Sequence, residues 1–309
     1  MRKENVDILI IGGGPAGLTA GVYAARSGSK TIIIEDKICG GQILQTGKPV
    51  VNMPGIVSIS GVDLSEALAT QAEESGATIV YDEITQIKFS KKKCGTHKIS
   101  TSDTEFSAKA VIIATGAEPR KVGAINEEKF DGRGIHYCGL CDGAFYKDKD
   151  IVVVGGGNSA VEEVIYLATL CSGVIIVNAT ENFNAHSTTV EKLGSLKNIK
   201  GIYHNHTVEK FNGDKKIESL DIKGTNGKQT TIKCEGVFVA IGRAPSTKIL
   251  GDAIKLDNSG YIIADNQMRT NIHGVFVAGD VRVKDVRQLV TACSDGAIAA
   301  TSASAYIKE

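Results

Sequence analysis

Apolar residues in this chain gather in short unbroken runs. VDILII covers 6–11, and TIIIE follows at 31–35. An apolar run without polar alternation suits a parallel strand covered on both faces. Between these two runs, LTAGVYAARSG at 18–28 is rich in small residues and predicts a helix. Residues 62–75, VDLSEALATQAEES, space their apolar positions by three and four with Asp63 near the start, which predicts an amphipathic helix. Residues 78–113 alternate more and predict a β segment containing a hairpin, with Lys91, Lys92 and Lys93 at a solvated tip. VIIATGAEPR, 111–120, reads as a buried strand ending in a glycine turn.

The same order then recurs. IVVVGGGNSAVEEVIYLATLCSG begins at Ile151 with an apolar strand, a glycine turn and a helix, and VIIVNAT at 174–180 is its second strand. Gly155, Gly157 and Ala160 take the small-residue positions of this turn. GVFVAIGRAP at 236–245 matches VIIATGAEP, with Ala240, Gly242 and Pro245 against Ala114, Gly116 and Pro119. The tail holds a further strand, VFVAGD at 275–280, and a small-residue helix from Val286 that suits close packing on a strand or a partner subunit. It is expected to rejoin the first unit. The chain is therefore α/β, with two related Rossmann-like dinucleotide-binding units.

The first glycine turn runs Gly12-Gly13-Gly14-Pro15-Ala16-Gly17. Its spaced glycines permit a tight turn, close approach to a pyrophosphate and close helix–strand packing. Phosphate would sit on the helix N-terminus. Glu35 ends the second strand about twenty residues on, where an acid accepts from a ribose hydroxyl. A loop from Cys39-Gly40-Gly41-Gln42 to Asn52-Met53-Pro54-Gly55 has the irregular composition of a ligand-lining segment.

Lys plus Arg and Asp plus Glu number 35 each among 309 residues. This zero net charge argues against a general nucleic-acid binder. No apolar run approaches membrane-spanning length, and the start lacks a signal-peptide pattern, so a cytoplasmic protein is expected. Seven cysteines at irregular spacing are not a disulfide framework. Cys39, Cys94, Cys171, Cys234 and Cys293 carry no motif and read as structural.

Cys138-Gly139-Leu140-Cys141-Asp142-Gly143 is the close pair. It could be half of a zinc site, a redox pair or two structural thiols. No second CxxC or paired His motif is present, which disfavours tetrahedral zinc. The pair precedes the second glycine-turn unit, and a helical turn starting there favours the thiolate that carries out disulfide exchange. Asp142 stands beside the second sulfur and could hand over a proton.

These residues together resemble the low-molecular-weight thioredoxin reductases: GGGPAGLTAGVYAARSG, Gly41-Gln42 with Asn52-x-Pro54-Gly55, ATGAEPR, GRGIHYC with CDG, GGGNSAVEE, and VFVAGDVR with RQL. The resemblance covers nearly the whole chain. It implies an FAD domain of residues 1–116 plus 245–309, with a pyridine-nucleotide-type domain, 117–244, inserted and carrying the CxxC. Around FAD it places Gly12, Gly14, Pro15, Ala16, Gly17, Glu35, Gly41, Gln42, Asn52, Ala114, Thr115, Gly116, Gly279, Asp280, Arg287, Gln288 and Leu289. It makes Cys138 and Cys141 the redox disulfide and Asp142 the acid–base residue. Arg133, Phe145 and Tyr146 match positions that contact thioredoxin, although core packing accounts equally well for the two aromatics. His136 reads as structural. Hinges near 114–119 and 241–246 and a homodimer are also implied.

The chain departs from that family at one place. NADPH-using members carry a His-Arg-Arg cluster and a further Arg after the second strand of the inserted unit. Here the stretch is Val177-Asn178-Ala179-Thr180-Glu181-Asn182-Phe183-Asn184-Ala185, without a cation. Losing several charge-assisted contacts of roughly 1.5–3 kcal/mol each weakens NADPH strongly. NAD(P)H is thus left without its anchors, and Asn178 stands where NADH would want an acid. A ferredoxin-dependent branch of the family lacks the same determinants, so ferredoxin is the expected donor. The rival readings are an NADH- or weakly NADPH-dependent reductase, an FAD-dependent dithiol oxidase, and a non-catalytic flavin redox sensor.

Overall fold

In this computed structural model, which describes residues 2–45 and 49–309, the chain forms two units, Met1–Glu118 with Ala244–Glu309, and Pro119–Arg243. In chain order the first unit contains β1 (Arg2–Ile11), α1 (Pro15–Arg26), β2 (Thr31–Glu35), α2 (Gly61–Glu74), β3 (Thr78–Tyr81), β4 (Gln86–Lys88), β5 (His97–Ser100) and β6 (Thr104–Ile113). The chain leaves through β7 (Ala117–Pro119). The second unit contains α3 (Glu127–Phe130), β8 (Ile135–His136), α4 (Gly139–Asp142), β9 (Asp150–Val154), α5 (Asn158–Ala168), β10 (Gly173–Val177), α6 (Ser187–Leu193), β11 (Ile199–Tyr203), β12 (His206–Gly213), β13 (Ile217–Gly224), β14 (Gln229–Lys233) and β15 (Gly236–Val239). It returns through β16 (Arg243–Pro245), which pairs with β7, and ends in β17 (Val275–Val277) and α7 (Leu289–Tyr306).

The first sheet has the order β3-β2-β1-β6-β5-β4. β1 runs parallel to β2 and β6, with Ile10 opposite Ile33 on one side and Ile112 on the other. One edge of β6 takes antiparallel β5 along its first half and parallel β17 along its second. Successive residues of β1 serve opposite cores. Ile8 and Ile10 face the cluster with Leu18, Ile33 and Phe276, while Leu9 and Ile11 face Phe106, Val111 and Ile113. Both faces are covered, which is why the run lacks polar alternation.

The expected hairpin is shorter than the stretch that suggested it. β3 joins the parallel sheet beside β2, while β4, β5 and the first half of β6 pair antiparallel in succession, with Lys91–Lys93 exposed in the β4–β5 turn. Within the loop expected across 39–55, Gly41–Gln45 forms a 3-10 helix, and residues 46–48 lie outside the described residues.

The small-residue tail helix packs on the strands as expected, with Tyr306 meeting Phe276 of β17 edge-on, and also closely on α1. A Cβ on Gly296 of α7 would stand 2.2 Å from the Ala16 carbonyl oxygen of α1. Asp295 beside it is buried, and Arg282 donates to both its oxygens at 2.9 and 3.0 Å. Lys284 Nζ donates at 2.8 Å and the Gly279 amide at 3.2 Å. Burial pushes this carboxyl up, but the bonds from Arg282 and Lys284 outweigh it and hold the group below the usual range.

The second unit repeats the plan with a five-stranded sheet, β11-β10-β9-β15-β8. One face packs α5 through Val161, Val164 and Leu167. The other packs the antiparallel sheet β12-β13-β14 through Phe211, Leu220 and Ile222. Among the described residues, no helix is long and apolar enough to cross a membrane.

Candidate active site

The redox turn is carried from β8 into α4. Cys138 caps α4 and is disulfide-bonded to Cys141, with Cα atoms 5.3 Å apart. The Cys141 amide donates to Cys138 Sγ at 3.2 Å, and the Asp142 amide to the Cys138 carbonyl at 3.1 Å. Leu140, between the sulfurs, is 52% exposed. Glycine is required beneath the turn, because a Cβ on Gly143 would meet Leu167 of α5 at 2.6 Å. Asp142 is buried, and its Oδ2 lies 3.2 Å from His136 Nδ1. His136 Nε2 is 2.8 Å from the Tyr146 hydroxyl. Of the family's partner-contact positions, Arg133 is exposed, Phe145 half-buried and Tyr146 buried.

Glu163 of α5 was not singled out by the sequence reading. Its Oε1 accepts from the Gly139 amide at 3.2 Å, and its Oε2 is buried without a hydrogen-bond partner. Burial dominates and pushes the carboxyl up to about 7. The Gly139 amide and Arg243 pull it down, and Asp142 pushes it further up. The signal lay in α5 itself, where Glu163 falls on the stripe of Ala160, Val164 and Leu167.

The folded protein therefore binds a proton at Glu163 more tightly than the unfolded chain does. Stability is fully present below about pH 4.5 and falls as pH rises towards 7, by up to about 3 kcal/mol. Glu163→Gln keeps the acceptor for Gly139. It is expected to raise the urea midpoint near pH 8 and to leave it unchanged near pH 4. Equal midpoints at both pH values would contradict this account.

The residues assigned to FAD converge in the first unit. Gly12 has φ +105°, and a Cβ there would lie 2.5 Å from the Ala114 carbonyl oxygen. A Cβ on Gly17 would lie 1.8 Å from the Gly12 oxygen, so strand, turn and helix meet at backbone contact. Gly14 caps α1 ahead of Pro15, and nothing lies within 4 Å of where its Cβ would stand. Gly116 is equally open, and a Cβ on Gly41 would find only Gly14 Cα, at 3.4 Å. Open backbone at a helix start is the cradle a pyrophosphate needs.

Glu35 Oε2 accepts from the Gly13 amide at 2.7 Å, and burial raises its pKa. Gln42 Nε2 donates to the Ala117 carbonyl. Thr115 Oγ1 donates to the Ser246 carbonyl at 2.8 Å, and Asn52 Nδ2 to Gln288 Oε1 at 3.2 Å. Gly279 abuts Ala16, where a Cβ would come within 2.8 Å, and Asp280 lies 4.0 Å from Lys284. Arg287 stacks 4.1 Å over Tyr261, Gln288 caps α7, and Leu289 packs against Ile43, Val50 and Leu64. The open glycines and the acid at the strand end fit an adenine dinucleotide.

The second glycine turn is engaged differently. Asn178 is buried, and its Nδ2 lies 3.1 Å from the Thr180 carbonyl, 3.0 Å from the Asn182 carbonyl and 3.1 Å from His204 Nδ1. Its Oδ1 accepts from the Thr180 amide and hydroxyl at 3.3 and 3.1 Å. The Asn184 amide donates to the Gly156 carbonyl at 2.7 Å. The Asn178 amide is thus spent on closing its own loop. No group of His, Cys, Asp or Glu that could hold a metal occurs among the described residues.

Two glycine-turn units and a surface-turn disulfide beside a buried carboxyl define a flavin-linked disulfide oxidoreductase. The chain belongs to the pyridine nucleotide-disulphide oxidoreductase family, whose profile matches residues 6–296, and it is an FAD-dependent enzyme. It is 43% identical to a thioredoxin reductase of Peptoclostridium acidaminophilum over 99% of this chain and 98% of the relative. It is also 43% identical to a 34.2 kDa protein in the rubredoxin operon of Clostridium pasteurianum, again over 99% and 98%. The crystal structure of thioredoxin reductase from Streptococcus pyogenes superposes with a TM-score of 0.90 at 38% identity, covering 98% of each chain.

Proposed function

We propose that this enzyme is a thioredoxin-disulfide reductase in which electrons pass through FAD to Cys138–Cys141, with ferredoxin rather than a nicotinamide nucleotide as the donor. The observation that carries the reading is the Cys138–Cys141 disulfide on an exposed turn with the Asp142 carboxyl buried beside it. Residues 1–116 with 245–309 form the FAD domain in this reading, and 117–244 the inserted domain. Gly12, Gly14, Pro15, Ala16, Gly17, Gly41, Ala114 and Gly116 cradle the dinucleotide backbone and Glu35 takes the ribose. Gln42, Asn52, Thr115, Gly279, Asp280, Arg287, Gln288 and Leu289 line the rest. The assembly is a homodimer and the compartment the cytoplasm.

Bound FAD supplies the electron pair that opens the disulfide. Asp142 gives a proton to one of the two sulfurs released. The Cys141 amide, already aimed at Cys138 Sγ, favours the thiolate there. That thiolate attacks one sulfur of the partner disulfide, and the other partner sulfur leaves. Cys141 then returns its proton to Asp142, attacks Cys138 Sγ, restores the internal disulfide and releases the reduced partner, whose leaving thiolates take their protons from water. The exposed Leu140 gives the partner an apolar contact at the point of attack.

Support for the donor comes from the 178–185 stretch, which has no cation and commits Asn178 to its own loop. The test is anaerobic. The flavin absorbance band is followed after adding NADPH, NADH or reduced ferredoxin, each with oxidised thioredoxin present. Silence with both nucleotides and turnover with ferredoxin is the expected result. Rapid bleaching by either nucleotide overturns the donor assignment. Oxygen consumption with small dithiols and no thioredoxin turnover identifies a dithiol oxidase, and no turnover with any donor a sensor.

A further inference from the structure

The buried side chain that touches Asp142 is a histidine held on its far side by a tyrosine, and neither residue has a part in the chemistry above. We propose that His136 is the positioning residue of Asp142, its Nδ1–H holding Oδ2 whether or not the carboxyl carries its proton, and that Tyr146 fixes the tautomer that allows this. The inference rests on the reading in which Asp142 moves a proton at the redox pair.

His136 ends β8, Asp142 ends α4, and Tyr146 closes the 3-10 turn Gly143–Tyr146. All three are buried. The imidazole is flanked by Phe238 at 5.5 Å and Tyr146 at 5.2 Å between ring centroids, and those two rings meet edge-on at 5.4 Å. A Cβ on Gly236 would come within 2.3 Å of the Tyr146 ring, so the tyrosine fills room that only glycine leaves. The ring is thus held on its faces and at both nitrogens.

A neutral imidazole has one donor and one acceptor nitrogen, and its tautomer follows from its partners. A carboxylate at Oδ2 demands Nδ1–H, because a lone pair there would face a lone pair. Nε2 must then accept, and the Tyr146 O–H is the donor. Burial, with Asp142, Cys234 and Glu235 adding to it, pushes Tyr146 up to about 12, so its proton stays in place. Glu163 on α5 also faces Asp142, the two cysteines become ionisable once their disulfide is reduced, and Lys149 Nζ lies 5.2 Å from the Tyr146 ring centroid.

This arrangement leaves Asp142 Oδ1 as the oxygen that carries the proton. Reduction of the Cys138–Cys141 bond, with the electron pair that bound FAD would supply, leaves two thiolates, and one takes the Oδ1 proton. The carboxylate left behind keeps its bond from Nδ1–H, now charge-assisted and roughly twice as strong. His136 therefore stabilises the state of Asp142 that proton transfer creates, without itself losing a proton.

The test uses FAD-loaded enzyme reduced with dithionite, followed through a single turnover with thioredoxin across the pH range. Asp142→Asn identifies the limb of the pH profile that belongs to Asp142. His136→Phe and Tyr146→Phe are expected to move that limb upwards by about one pH unit, a tenfold change in proton affinity. His136→Asn, whose amide can donate from the Nδ1 position, is expected to move it back. Iodoacetamide labelling of the reduced pair, which needs no turnover, is expected to show the same shifts. A uniform loss at every pH with the limb unmoved overturns the inference, and so does a failure of asparagine to restore it. Tyr146→Phe keeps the ring packing and decides the matter if His136→Phe does not fold. Wild-type turnover in Asp142→Asn would instead overturn the role of Asp142 itself.

Discussion

Cys138→Ser and Cys141→Ser are each expected to lower thioredoxin-disulfide reduction by more than about a thousandfold while the purified protein keeps its flavin colour. In the proposed mechanism the two sulfurs act as one unit, the first forming the mixed disulfide and the second resolving it, so removing either is expected to stop turnover. Flavin retention follows from chain position. The open glycines at 14, 41 and 116 belong to the first unit, and the cysteines to the second. The variants also separate the sulfurs' tasks. Cys141→Ser is expected to trap a covalent adduct with thioredoxin through Cys138, seen as a mass shift on a non-reducing gel, whereas Cys138→Ser is not. An adduct in the reverse pattern would assign the attack to Cys141. Undiminished turnover in the double variant would end the mechanism.

Asp295→Ala is expected to be the most damaging single change away from the sulfurs. It removes the carboxylate that accepts from Arg282, Lys284 and the Gly279 amide, and it leaves Lys284, whose side chain is only 6% exposed, with Asp280 at 4.0 Å as its remaining counter-charge. Breaking a buried pair by removing one partner costs about 3–5 kcal/mol, and Asp280 offsets part of that here. The chain segment from Gly279 to Lys284 is tied to α7 through this carboxyl, so flavin release and unfolding of the first unit should coincide in urea. The sign with pH is fixed by the lowered pKa. The wild-type contribution is present above the usual carboxylate range near pH 4 and is lost as pH falls through the still lower folded value. The variant should therefore lose less stability on acidification than the wild type does. Equal urea midpoints near neutral pH would show that the cations find other partners.

The strands were legible where both their faces are covered. VDILII and IVVVGG could be read as parallel strands because each successive residue meets a different core. β3 lies in the expected β segment, but its separate pairing was hidden for the opposite reason. Thr78–Tyr81 is a half-exposed edge strand, so its pattern resembles that of the hairpin that follows it. The Cys138–Cys141 disulfide was legible from spacing together with resemblance, since no local property of Cys138 separates a disulfide from half of a metal site. His136 was read as structural because its two partners come from α4 and the following 3-10 turn, and a contact of that kind leaves no periodic trace. Glu163 was hidden by Glu162, because an adjacent pair of acids on a helix looks like a solvated face until one of the two points inward.

The contact of α7 on α1 imposes an order on synthesis. The second unit is one continuous stretch, Pro119–Arg243, and can fold as soon as that stretch has left the ribosome. The first unit cannot. Its sheet waits for Val275–Val277, and the close approach of Gly296 to Ala16 waits for α7, both downstream of the whole second unit. The newborn chain is thus expected to carry a finished disulfide-bearing unit while its first unit is still incomplete, and if the first unit is the flavin domain, as proposed, cofactor uptake follows the docking of α7.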